Sequence, residues 1–127
     1  MKAIHPGMSE REIQGIHQLV YKKYGAAHEG YPSIVGAGEN ACVLHYIEND
    51  KECKEGDLLL FDFGAEYANY SADMSRSIPV NGKFTARQKD VYEAVLRALK
   101  TLTENMVVGA SLDILDKMSD VIGNENL

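Results

Sequence analysis

Leu58-Leu59-Leu60-Phe61-Asp62-Phe63-Gly64-Ala65 is the stretch on which the reading of this chain turns. Its apolar run is strand-sized, and a carboxylate stands inside it. Burying an ionised carboxylate is costly unless something compensates it. Eleven residues after Asp62 comes Asp73, in Ser71-Ala72-Asp73-Met74-Ser75-Arg76. A second strand is expected from Ser71 to Val80, closed by Pro79 and the Asn81-Gly82 turn. If the two strands form a hairpin turning near Tyr67-Ala68, Asp62 faces Asp73 directly, with Cβ atoms roughly 4.5–5.5 Å apart. Like charges so placed need either a shared proton or a cation between them. Carboxylate oxygens suit hard or borderline divalent ions, and a metal pair can generate hydroxide and polarise a carbonyl. The spacing leaves a plainer explanation open, in which Arg76 pairs with one of the acids. That pairing would leave the other acid unexplained.

Working outward, Ser33-Ile34-Val35 and Ala41-Cys42-Val43-Leu44-His45 read as short strands, separated by a turn at Gly36-Ala37-Gly38-Glu39-Asn40. Glu48 to Gly56 reads as a charged loop. Ser9-Glu10-Arg11-Glu12 is a capping box that starts a first helix, with Ile13, Ile16, Val20 and Tyr24 as its apolar face and Gly25 as its stop. Thr85-Ala86-Arg87-Gln88 is a second box, followed by Val91, Val95, Leu99 and Leu102 on one stripe and a stop at Gly109. Ser111 caps a third helix whose expected buried side is Ile114, Leu115, Met118 and Val121. Gly123 to Leu127 reads as a frayed end. Helix, strands, helix, helix implies an α+β fold, an antiparallel sheet covered by helices on one face.

Composition narrows the function classes. The 127 residues suit one small domain, with 45% apolar residues for a core and 25% charged. No apolar run reaches the roughly 18 residues of a membrane span, and Met1 to Ser9 has no signal-peptide character. A net charge of −6 argues against a nucleic-acid partner. Two cysteines make no disulfide framework or zinc motif. Both read as free thiols of a cytoplasmic protein, with Cys42 a small core residue. His5, His17 and His28 match no catalytic pattern and read as surface or helix-packing residues.

Three separated blocks resemble the Xaa-Pro aminopeptidase and prolidase family of metallopeptidases. Gly36-Ala37-Gly38-Glu39-Asn40-Ala41-Cys42-Val43-Leu44-His45-Tyr46 is similar to the family's substrate-side segment. The run from Gly56 to Tyr67 is similar to its first metal strand, and Tyr70 to Ser77 to its second. Pro79 to Thr85 continues the likeness, which extends from about Ile4 to Gly109. The resemblance implies the first half of a pita-bread fold and a site with two divalent metals, manganese first and zinc or cobalt as alternatives. Asp62 would be a terminal ligand, Asp73 the bridging one, His45 a contact to the substrate or the tetrahedral intermediate, and Arg76 a partner to a metal carboxylate. The substrate implied is a proline-containing peptide or dipeptide.

The family pattern also needs a later histidine and two glutamates, for which residues 1–127 offer no matching motif. The expectation is therefore a partial catalytic domain that by itself is inactive and holds metal weakly or not at all. Such a half would self-associate to cover its exposed sheet. A non-catalytic peptide-binding module and a methionine aminopeptidase share the fold and stand as alternatives.

Overall fold

The computed structural model describes residues 2–124, so Glu125 to Leu127 of the expected frayed end lie outside the described residues. The chain divides into two compact units, Met1–Lys83 and Phe84–Leu127.

The first unit opens with helix α1, Glu10–Lys23. The expected capping box forms: the Ser9 hydroxyl accepts from the Glu12 N–H (3.1 Å), and the Ser9 N–H donates to the Glu12 carboxylate (2.7 Å). The packed face differs from the apolar stripe. Ile13 is buried, but Ile16, Val20 and Tyr24 are exposed. The inward line is Glu10, Ile13, Gln14, His17 and Tyr21, mostly polar. A stripe counted by apolar type misses a face whose Glu10, Gln14 and His17 find hydrogen-bond partners inside.

Six short strands follow: β1 (His28–Glu29), β2 (Ile34–Ala37), β3 (Leu58–Phe63), β4 (Ala65–Tyr67), β5 (Tyr70–Ser71) and β6 (Met74–Pro79). They make two antiparallel sheets, ordered β1-β4-β5 and β2-β3-β6. The two strands expected at 58–65 and 71–80 are thus each broken, and so is the 28–37 run. The breaks lie side by side. The Gly30 N–H donates to the Gly64 carbonyl (2.9 Å), and the Ala72 N–H donates to the Ala65 carbonyl (3.0 Å). Glycine is required at this level. A Cβ on Gly64 would lie 1.7 Å from the Ala72 oxygen, and one on Gly30 would lie 2.8 Å from the Ser71 Cβ.

The core sits on one face of β2-β3-β6, where Val35, Leu59, Phe61 and Val80 pack with Ile13 of α1 and with Cys53. Alternation along β3 buries Leu59 and Phe61 and turns Asp62 to the opposite face, where it is half-buried. The segment expected as a strand at 41–45 is a 3-10 turn, Gly38–Cys42, followed by a bend. Cys42 is therefore exposed, and the core thiol is Cys53. That apolar run has no strand to pair with, because the outer edge of β2 is already occupied. Asn49, fully buried at φ 47, accepts from the Val35 N–H (2.9 Å) and donates to the Ser33 carbonyl (2.8 Å) and to Gln14 (3.1 Å). One amide side chain serves as the missing neighbour strand.

In the second unit, α2 (Ala86–Asn105) starts at the Thr85–Gln88 capping box and packs against α3 (Leu112–Asn124). The last two residues of α3 take up the start of the expected frayed end. Among the described residues of this unit Ala94 is buried, and so is Leu115 as expected, whereas Val95, Leu99, Ile114 and Val121 of the expected stripes are exposed. Small Ala94 lies one position before Val95 on the stripe, so the buried line is rotated from the one drawn through the largest side chains.

Asn49→Ala leaves two buried backbone groups unpaired and places alanine in a left-handed conformation. It should lower the unfolding free energy by about 2–3 kcal/mol in chemical denaturation. His17 generates a second expectation. It lies 3.2 Å from the Ser33 hydroxyl and 3.6 Å from Glu29, and its ring stacks on Phe63 at 4.7 Å. Burial holds its pKa below the ordinary 6.5, outweighing the attraction of Glu29. The unfolded chain then takes up the proton first, so stability is full above pH 6.5 and declines as pH falls below it. Unfolding curves of His17→Gln should show a shallower decline over that range than those of the unsubstituted chain.

Candidate metal centre

The three backbone breaks converge on one cluster of oxygen atoms. Tyr31 lies between β1 and β2, Asp62 near the end of β3, and Asp73 between β5 and β6. The Tyr31 hydroxyl donates to Asp62 Oδ1 at 2.7 Å and lies 3.2 Å from Asp73 Oδ1. The two carboxylates therefore meet at a single phenol oxygen, and their Oδ1 atoms can be no farther apart than those two distances together.

The route to this meeting differs from direct opposition. The β3–β6 register sets Asp62 opposite Ser75, and Glu66 opposite Ser71 beyond the break. Asp73 is then a diagonal neighbour of Asp62, a relation that spans roughly 7–8 Å between backbones. The shift arises at the turn. Ala68 and Asn69 both have positive φ, 51° and 67°, so a two-residue turn centres one position later than expected. Displacing the register by two residues keeps both acids on one face. The break at Gly64 then lets the Asp73 backbone close the diagonal. Asn69, which tolerates the left-handed region, was the available sign of the true turn.

Tyr31 was missed by sequence reasoning. Pro32 marks it as extended, but nothing local says that its hydroxyl reaches residues 31 and 42 positions away. Burial, then its bond to Asp62, pushes its ionisation above the ordinary phenol range, so it remains a proton donor at neutral pH. One hydroxyl proton can serve one carboxylate oxygen at a time. The remaining oxygens of half-buried Asp62 and exposed Asp73 are acceptors without a proton between them, an arrangement suited to a divalent cation. Among the described residues no group of three or more His, Cys, Asp or Glu side chains is clustered as a complete ligand set. The pair fits part of a metal site.

The other two expected site residues stand apart. His45 is exposed at φ 55, and no hydrogen bond or ion pair joins it to either aspartate among the described residues. Arg76 lies opposite Phe61, on the face of the sheet away from Asp62, and donates to the Ser75 carbonyl (2.7 Å). The period of two residues explains this: Arg76 is an odd number of positions from both Asp73 and Ser75. It makes no ion pair among the described residues, which removes the plainer explanation of the acids.

Comparison with known proteins adds to the geometry. Residues 1–125 match the model of metallopeptidase family M24. The Xaa-Pro aminopeptidase of Escherichia coli (strain K12) is 42% identical over 96% of this chain and 27% of its own length. The Xaa-Pro dipeptidase of Rattus norvegicus is 42% identical over 100% of this chain and 27% of its own. The chain thus spans about a quarter of the length of these curated relatives. Two solved structures of Escherichia coli aminopeptidase P superpose at a TM-score of 0.77 and 45% identity over 78% of this chain. One, zinc-substituted and in complex with product, is covered over 22% of its chain, and the other, with the inhibitor Pro-Leu, over 23%.

The glycine at the break generates a paired expectation. Gly64→Ala must drive Ala72 and Asp73 away from Asp62 and should cost about 3 kcal/mol or more in unfolding free energy. Gly15→Ala, inside α1 with nothing within 4 Å of the added methyl, should instead stabilise the chain by up to about 1 kcal/mol. Denaturant titration of both variants measures the contrast.

Proposed function

Because the chain belongs to metallopeptidase family M24, with the pita-bread type of α+β fold, we propose that it supplies one wall of a site that hydrolyses the bond between any residue and a following proline. The observation that carries this reading is the convergence of Asp62 and Asp73 on the Tyr31 hydroxyl. The names of the relatives, Xaa-Pro aminopeptidase and Xaa-Pro dipeptidase, support the bond specificity. In this reading Asp62 and Asp73 would hold the divalent ions, with manganese the expected ion and zinc the ion of one neighbouring structure. Bound divalent ions there would supply Lewis-acid polarisation of the scissile carbonyl and a low-pKa water.

The side chains of this chain perform the rest. Tyr31 holds Asp62 through one fixed hydrogen bond, which orients the carboxylate and leaves its second oxygen free. The paired negative charges would hold the cation, and the Gly64–Ala72 contact sets the course of the backbone between them. His45, on an exposed loop beside Leu44, contacts the peptide or its tetrahedral intermediate. The remaining ligands, a histidine and two glutamates, come from outside residues 1–127. The chain by itself is then inactive.

The test is hydrolysis of Xaa-Pro peptides with Mn²⁺, by this chain alone and by this chain joined to the segment that follows the matched region in the Escherichia coli relative. Activity is expected in the joined protein only. There, Asp62→Asn and Asp73→Asn should each reduce kcat/KM by more than about a hundredfold, and Tyr31→Phe by about 10–100-fold, the range for a partner that orients a ligand. Cleavage by the joined protein that survives both aspartate changes would overturn the reading.

A further inference from the structure

Glu10 is fully buried in the first turn of α1. Its carboxylate accepts four hydrogen bonds. Oε1 takes the Ala37 N–H (2.8 Å) and the Asn40 amide (3.0 Å), and Oε2 takes the Tyr46 hydroxyl (2.6 Å) and the Lys51 N–H (3.0 Å). It forms no ion pair among the described residues. A buried carboxylate satisfied by hydrogen bonds alone is a weak stabiliser compared with a well-packed apolar side chain. Its distinguishing property is geometric, because each acceptor lone pair fixes the place of one donor.

Three of the four donors belong to the connection between β2 and β3, at Asn40, Tyr46 and Lys51, and the fourth, Ala37, is the last residue of β2. The Asn40 amide also donates to the Tyr46 hydroxyl (3.0 Å), which closes a triangle with Glu10. The Glu10 N–H donates to the Lys51 carbonyl (2.9 Å), so main chain and side chain grip the same residue. Tyr46 is 7% exposed, while its neighbours His45 and Leu44 lie outside, Leu44 at 86%. Between the anchored ring and the 3-10 turn, His45 adopts φ 55, a left-handed conformation disfavoured for a histidine. Such a conformation persists where flanking contacts over-determine it, and the flanking contacts here lead to Glu10.

We propose that Glu10 is the positioning residue for His45: through Asn40 and Tyr46 its carboxylate shapes the 38–51 loop and holds His45 left-handed and outward. The importance of that position for catalysis rests on the reading of His45 as a substrate contact. The conformational claim does not.

The test uses NMR of the 127-residue chain. A strong intraresidue HN–Hα NOE marks positive φ, and His45 should show it. Tyr46→Phe removes one hydroxyl and keeps the ring, and Glu10→Gln keeps the shape but replaces one acceptor oxygen by a donor. In both, the His45 NOE should weaken to that of an extended or averaged residue, while cross-strand NOEs between Leu60 and Ser77 persist. Ile13→Val, a core change three residues from Glu10, should leave the His45 NOE intact. If Glu10→Gln does not fold, Tyr46→Phe decides. A His45 NOE unchanged in Tyr46→Phe, or lost equally in Ile13→Val, overturns the proposal. Because this readout is independent of hydrolysis, a failure to cleave Xaa-Pro peptides would sink the functional reading alone.

Discussion

The carbonyl oxygen of Ala72 lies where any side chain on residue 64 would have to be. That exclusion organises the first unit. It breaks the long hairpin into an inner pair that continues β2 and an outer pair that continues β1. It also frees Asp73 from regular strand pairing, so that its carboxylate can approach a phenol already bonded to Asp62. An unbroken ribbon would hold the two acids at the diagonal spacing of a flat sheet, with no common neighbour. The site is thus a product of the backbone before it is a product of side chains. The glycine is there because a methyl group has no room.

The second organising fact is the use of polar side chains as backbone substitutes. The connection between β2 and β3 has little regular structure, so its amides and carbonyls need partners from elsewhere. Glu10 accepts from the Lys51 N–H and from the Asn40 and Tyr46 side chains, and Asn49, itself part of the connection, ties it back to the Ser33 carbonyl and the Val35 N–H; both side chains are buried. These contacts replace the strand that the apolar run at 41–44 would otherwise have formed. They explain how an irregular loop with Val43 and Leu44 exposed can still have a defined course.

Helix starts and the alternation of β3 were legible in the sequence because their causes are local. A serine or threonine three residues before a glutamate or glutamine fixes a helix N-terminus, and both capping boxes formed. Asp62 and Asp73 were legible as anomalies, charges in or beside apolar strands. Their exact partners were not, because a register depends on which two residues of Tyr67-Ala68-Asn69-Tyr70 take positive φ, and a preference of that kind is weak. Tyr31, Asn49 and Glu10 were illegible for another reason. Each acts across a separation in sequence that no local pattern encodes, and a buried glutamate inside a capping box looks like an ordinary first-turn acid. The inward face of α1 was misjudged for the same reason: an apolar stripe was assumed to face inward where hydrogen-bonded Glu10, Gln14 and His17 do so.

The amide of Asn49 has one more effect. With Glu10, which takes the Ala37 N–H, it occupies the hydrogen-bonding edge of β2 and denies that edge to any extended peptide. In the β2-β3-β6 sheet the edge left for backbone pairing is β6, whose outer residues Met74, Ser75 and Arg76 are exposed. The sheet is therefore one-sided: two buried polar side chains, Asn49 and Glu10, close one border, and the other, β6, is its open margin.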